Sequence, residues 1–235
     1  MPYYYGGFYF DRTYWLVLIG ALISLAASGM LKSAYAKYRQ VYCRSGMTGA
    51  EAAQRLLHSQ GIYDVQVHPV RGELSDHYNI RERSVGLSGD IYSGRSLASV
   101  GIAAHECGHA VQHSQGYVPI QIRDAVAPVA NIGCSLAMPI FILGLIFSMP
   151  ALLKAGILLF SLAALFQILT LPIEFNASKR GMRMLVENGI LAEDELPGVR
   201  RVLTAAAMTY VAALAATLLQ LLRLIILAGG RRNDD

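Results

Sequence analysis

The chain has 235 residues and a formal net charge of +4, with 54% hydrophobic residues and only 15% charged ones; an ordinary soluble domain carries about 25% charge. That balance argues against an ordinary soluble domain. The basic residues form no stripe interleaved with aromatics, so a nucleic-acid partner is excluded as well.

An aromatic start (Tyr3, Tyr4, Tyr5, Phe8, Tyr9, Phe10, Tyr14, Trp15) reads as a belt at a membrane interface. It leads into a charge-free window between Arg12 and Lys32. Further windows without charge run from Asp124 to Lys154, from Lys154 to Glu174, and from Val202 to Leu222. A helix needs about 20 mostly apolar residues to cross a bilayer, so the pattern predicts four spans. Pro128, Asn131, Pro139 and Pro150 interrupt the second window, which places its membrane part at 132–149 with a kink at Pro139. Pro150 and Lys154 then make spans two and three a tight hairpin. The first run is no cleavable signal peptide, because its basic residues follow it.

Lysine and arginine set the orientation. The segments 32–123 and 174–201 hold most of them, and a hairpin between spans two and three puts both segments on one side. Positive charge marks the cytoplasmic face, so the amino terminus is expected outside and the two basic segments inside. Cysteines on that side stay reduced, and Cys43, Cys107 and Cys134 build no disulfide framework.

Between the first two spans the chain reads as a small α+β unit. Thr48-Gly-Ala-Glu51 has the form of a capping box, followed by Ala52, Ala53, Leu56 and Leu57 at helical spacing and a stop at Gly61. Residues 64–68 alternate as a strand closed by Pro69, 71–79 read as a polar turn, and 83–88 as a second strand. A helix is predicted over about 96–113, capped by Ser96.

That helix carries His105-Glu-Cys-Gly-His109. Histidines four apart project their imidazoles from one face, and the glutamate between them sits where it can take a proton from an attacking water instead of ligating. The flanks Gly101, Ile102, Ala103, Ala104, Cys107, Gly108, Ala110 and Val111 are uncharged and mostly small, as a helix buried around a metal requires. Cys107 points away from His105, which assigns it to packing.

A catalytic zinc needs a third protein ligand and an open position. His113 is one turn too far, since three histidines at successive turns span about 12 Å. A third histidine six residues after the second is absent, because that position is Gln115. A glutamate from a later helix remains. Glu174, closing the third apolar run, stands out over Glu187, Glu193, Asp194 and Glu195, which lie in a more polar stretch. Ser178, one turn on, is placed to hydrogen-bond a ligand.

The stretches Leu74-Ser-Asp-His-Tyr78, 100–116 around the histidine motif, Leu171-Pro-Ile-Glu-Phe-Asn-Ala-Ser178 and Ala205-Ala-Ala-Met-Thr-Tyr-Val-Ala212 together resemble the YugP-like neutral zinc metallopeptidases of bacterial membranes. The resemblance covers nearly the whole chain. It is similar in logic to the HtpX-type membrane proteases, whose third ligand is the glutamate of an E-x-x-A-D pattern; here Ser178 stands in place of that aspartate.

The resulting expectation is a mainly α, multi-pass membrane protein with about four transmembrane helices and a small α+β, gluzincin-like catalytic unit. Its parts are 1–31 (aromatic start and span one), 32–124 (catalytic region), 125–173 (spans two and three), 174–201 (segment with the third ligand) and 202–235 (span four and tail). One Zn2+ per chain is held by His105, His109 and Glu174, with Glu106 as general base for peptide hydrolysis. A polypeptide substrate adds a strand along Val85-Gly86-Leu87. His77, Tyr210 and Arg180 are candidates for the oxyanion donor. The partners are the lipid bilayer and a membrane or unfolded polypeptide. The competing expectation is a zinc-binding sensor or assembly factor without proteolytic activity. Residues alone leave oligomeric state open.

Overall fold

The computed structural model describes residues 13–230. The aromatic residues before Thr13, together with Arg12, Arg231 and Arg232, lie outside the described residues. The elements in order are α1 (Tyr14–Tyr38), α2 (Gly49–Ser59), β1 (Gln66–Val70), β2 (His77–Asn79), β3 (Ser84–Ser88), α3 (Gly89–Tyr92), α4 (Leu97–Ser114), α5 (Val118–Ile146), α6 (Pro150–Glu187) and α7 (Leu196–Gly230). Four of them, α1, α5, α6 and α7, are long and apolar enough to cross a membrane. The protein is therefore mainly α, with one small three-stranded sheet.

The long helices outrun the apolar windows that announce them. Helix α5 begins at Val118 and not near 132, because Pro119 falls in its first turn, where a missing N–H costs nothing. It runs on through Pro128 and Pro139. Helix α6 continues past Glu174 to Glu187, and α7 starts at Leu196, ahead of its apolar window. These extensions are amphipathic. Met184 and Leu185 of α6 and Val199 and Val202 of α7 are buried with Leu56, Leu57, Val85, Leu87 and Val100 in one core. The α+β unit is thus closed by the ends of two membrane helices, and the metal-motif helix α4 lies between them and α2.

The spans pack as a row. Helix α1 lies along α7, α7 along α6, and α6 along α5. Side chains such as Trp15, Leu22, Leu25, Ile132, Ile146 and Leu158 face outward, as a lipid environment permits.

In the sheet, β3 is central, with β1 parallel on one side and β2 antiparallel on the other. This corrects the expected substrate strand: Val85, Gly86 and Leu87 pair with Val67, His68 and Pro69, while His77 and Tyr78 cover Gly86 and Val85 from the other side. The strand has no open edge there, and the edges belong to β1 and β2. Pro69 lies inside β1 instead of ending it, because an edge strand can leave an N–H position unpaired. The short β2 lies within the polar turn expected over 71–79. Its residues are polar and half exposed, and it is held in place by Asp76, whose carboxylate accepts hydrogen bonds from the amide (2.8 Å) and hydroxyl of Ser88.

The caps form where sequence chemistry calls for them. Thr48 Oγ1 accepts from the Glu51 amide while Glu51 Oε2 accepts from the Thr48 amide. Ser96 Oγ accepts from the Ser99 amide, which starts α4. After α4, Gly116 adopts φ +63°, a conformation that a side chain disfavours, and turns the chain into α5.

The site depends on how closely α4 approaches α6. A Cβ at Gly108 would lie 2.4 Å from the Ala177 carbonyl oxygen, and one at Gly181 would lie 2.6 Å from that of Ala104. Each helix supplies a glycine where the other's backbone passes. We expect Gly108→Val or Gly181→Val to destabilise the protein by about 1–3 kcal/mol through overpacking. Thermal unfolding in detergent and metal content would both register it, and an unchanged midpoint with full metal loading would refute this account of the crossing.

Candidate metal centre

At this crossing the backbone of α6 presents Glu174 and Ser178, one turn apart, to the face of α4 that carries His105 and His109. Glu174 Oε2 lies 3.3 Å from His105 Nε2 and 3.7 Å from His109 Nε2. The two histidines and the glutamate each offer one ligand atom, and all three atoms lie within 4.8 Å of one another. For ligands bound tetrahedrally at about 2.0–2.1 Å, neighbouring donor atoms stand about 3.3 Å apart, so two of the separations suit a zinc-sized ion. The burial makes the same point. Glu174 is 5% exposed, and its Oε2 has no hydrogen-bond donor among the described residues. A buried carboxylate oxygen without a donor is costly, and a cation between it and the two imidazoles removes that cost. The nitrogen and oxygen donor set is one that zinc accepts.

Each imidazole is oriented from behind. His109 Nδ1 donates to Gln112 Oε1 at 3.0 Å, and because an amide oxygen can only accept, this bond leaves the Nε2 lone pair free. His105 Nδ1 lies 3.0 Å from Ser178 Oγ. Gln112 is fully buried and spans two helices: its Nε2 donates to the Ile173 carbonyl (2.9 Å) and to Asn176 Oδ1 (3.0 Å). The ring of His109 is thereby tied to the same turn of α6 that carries Glu174. Burial lowers the affinity of His109 for a proton, but the carboxylates of Glu174 and Glu106 outweigh it and hold its pKa above the usual value.

Glu106 is 8% exposed and opens onto the same cavity of about 180 Å³ as His105 and Glu174. Of the three oxyanion candidates, Tyr210 lines this cavity, on α7. The other two are placed elsewhere, which corrects that expectation. His77 Nδ1 is hydrogen-bonded to the Ser75 carbonyl and its ring packs on Gly86. Arg180 binds Asn176 and Gln115 and lies over the Tyr117 ring. His113 pairs with Asp124 (3.4 Å) and stands apart from the cluster. Cys107 is fully buried against the Ala53 carbonyl, and burial pushes its thiol pKa well up.

Sequence reasoning missed Gln112 and Asp76. Gln112 lies three residues past His109, the helical spacing at which a side chain reaches back to its neighbour's ring, and that was a usable signal. Asp76 lines the cavity from the foot of β2. Its burial pushes its pKa up, against the Ser88 hydrogen bonds that pull it down.

This arrangement agrees with what the chain is similar to. The family profile described as "Putative neutral zinc metallopeptidase" matches residues 13–229. The chain belongs to that family. It is 43% identical over 213 residues, 91% of this chain and 95% of the other, to the "Putative membrane protease YugP" of Bacillus subtilis (strain 168). No solved structure matches the chain.

Removing the buried amide should weaken the centre without dismantling it. Gln112→Met keeps volume but deprives His109 Nδ1 of its acceptor, and a drop in zinc affinity of about 10–100-fold is expected, measured by chelator competition. His105→Ala should abolish stoichiometric zinc altogether. Unchanged affinity in Gln112→Met would show that packing alone orients His109.

Proposed function

We propose that this protein is a zinc metalloendopeptidase set in the cell membrane, holding one Zn2+ per chain through His105, His109 and Glu174 in the gluzincin manner, with its active site on the cytoplasmic side and its amino terminus outside. The observation that carries the reading is the convergence of the Glu174 carboxylate on both imidazole Nε2 atoms, with Glu106 on the same cavity. The sidedness rests on the concentration of lysine and arginine in 32–123 and 174–201, which flank the centre.

A zinc ion held by His105, His109 and Glu174 would supply Lewis acidity at the site, acidifying a water and polarising the peptide carbonyl. Glu106, next to His105 on the helix, takes the proton of the attacking water and delivers it to the leaving nitrogen, so one carboxylate serves as base and then acid. Ser178 and Gln112 fix the two rings by accepting at, or bonding to, Nδ1. Of the three oxyanion candidates we retain Tyr210, which lies on the cavity wall with its hydroxyl beside Glu174. An extended polypeptide is accommodated best along β2, the sheet edge next to Asp76 and the cavity, because β3 is paired on both sides. A site at the join of membrane helices and a cytoplasmic sheet favours membrane proteins and unfolded segments close to the bilayer as substrates.

Glu106→Gln should retain zinc yet lose activity by a factor of about 10²–10⁴. Quantitative proteomics of membranes carrying this variant should show specific membrane proteins accumulating relative to wild type. Full zinc occupancy with no protein changing in abundance would favour a non-proteolytic zinc-binding sensor or assembly factor instead.

A further inference from the structure

Helix α1 packs along α7, and α6 packs along the other flank of α7, but α1 and α6 are not packed against each other. The space between them is a groove with α7 as its floor. Two cavities lie along it. The first contains His105, Glu106 and Glu174 and is walled by Leu31 of α1 and Ala206 and Ala207 of α7. The second, of about 320 Å³, lies deeper among the spans and is bounded by Ala21 and Ser24 of α1, Phe160 of α6, and Thr217 and Gln220 of α7.

We infer that this groove receives a membrane-spanning segment of the polypeptide being cut and leads it, partly unwound, from the bilayer to the metal centre. This rests on the peptidase reading and names its substrate class. The chemistry of the groove selects the occupant. A helix must unwind before a peptide bond can reach a hydrolytic centre, and in hydrocarbon its freed N–H and C=O groups have no water to bond. Ser24, Thr217 and Gln220 place hydroxyl and amide groups along the second cavity, where an acyl chain could use none of them and an unwound backbone, with its free N–H and C=O groups, finds hydrogen-bond partners. Ala21 and Ala216 border this cavity with short side chains, while Gly20 lets α1 close onto Ala216 of α7 at the base of the groove.

The test is site-specific photo-cross-linking in native membranes, with p-benzoylphenylalanine at Thr217 in the Glu106→Gln protein. The same probe at Leu218, which faces outward at 46% exposure, is the reference. The expected result is peptide adducts at position 217, several-fold above those at 218, mapping by mass spectrometry to apolar spanning segments of proteins that also accumulate in the Glu106→Gln strain. Filling the groove by Thr217→Trp, or by Ala21→Phe from the opposite wall, should slow turnover of those proteins about tenfold at unchanged zinc content, whereas Leu218→Trp should not. Adducts to lipid alone, or equal adducts at both positions, would overturn the proposal, as would undiminished turnover in both filled variants. Cleavage of β-casein by the wild-type chain tests the peptidase reading separately. If casein is cut but position 217 captures only lipid, the groove assignment fails and the peptidase stands. If casein is untouched and no protein accumulates, it is the peptidase reading that fails.

Discussion

Everything about the centre depends on two helices crossing with their backbones nearly in contact. Helix α4 brings two imidazoles and α6 brings a carboxylate, and the distance between the helices decides whether these groups can share an ion. Gly108 and Gly181 set that distance by leaving no Cβ where Ala177 and Ala104 pass. Once the helices are this close, other bonds become available. Ser178 reaches His105, and Gln112 reaches the Ile173 carbonyl and Asn176. The membrane helix and the motif helix are therefore joined by polar bonds as well as by packing, and in a buried setting a fully satisfied amide network holds a single arrangement.

This crossing also explains why the α+β unit is so small. A unit of three short strands and three helices buries little apolar surface of its own and is marginal alone. Here α6, α7 and the turn between them insert Met184, Leu185, Ile190, Leu191, Val199 and Val202 into its core. The long apolar helices are therefore structural members of the α+β unit as well as candidate spans. A shift of α6 along its axis would move Glu174 relative to both histidines, so the geometry of the centre is coupled to the packing of the membrane region.

The sequence disclosed the parts whose signal is local. Four apolar windows announced four long helices, and Thr48 with Glu51 and Ser96 announced two helix starts that form as capping chemistry requires. The pairing of Glu174 with the histidine motif was legible because few carboxylates sit at the end of an apolar run, and the coordinates bring its Oε2 to within 3.3 and 3.7 Å of the two rings. What stayed hidden depends on contacts distant in sequence. The order β1-β3-β2 could not be read from alternation in Val85-Gly86-Leu87, since a central strand and an edge strand show the same short apolar run. Strand β2 exists because Asp76 bonds Ser88, a contact that polar composition disguises as a turn. Arg180 looked available for an oxyanion, yet Asn176 and Gln115 claim its guanidinium.

The electrostatics of the cavity connect the centre to the bilayer. Its lining contains Asp76, Glu106 and Glu174 but no lysine or arginine among the described residues. Carboxylates gathered in a partly buried space repel one another and are poorly solvated, and positive charge among them, on an imidazole or a bound cation, relieves both costs. A divalent ion would offset two of the three. Asp76 is then left as an acceptor beside the edge of β2, where it is already committed to the amide and hydroxyl of Ser88. The remaining wall is mostly aliphatic, with Leu31 of α1, Ile102 of α4 and Val202, Leu203, Ala206 and Ala207 of α7 beside the hydroxyls of Ser178, Thr209 and Tyr210, which lowers the local dielectric and strengthens charge interactions in the cavity. The cavity thus joins residues of the α+β unit (Asp76, Ile102, His105, Glu106) to residues of the long apolar helices (Leu31, Glu174, Val202, Ala206), so its shape depends on how these two parts pack against each other.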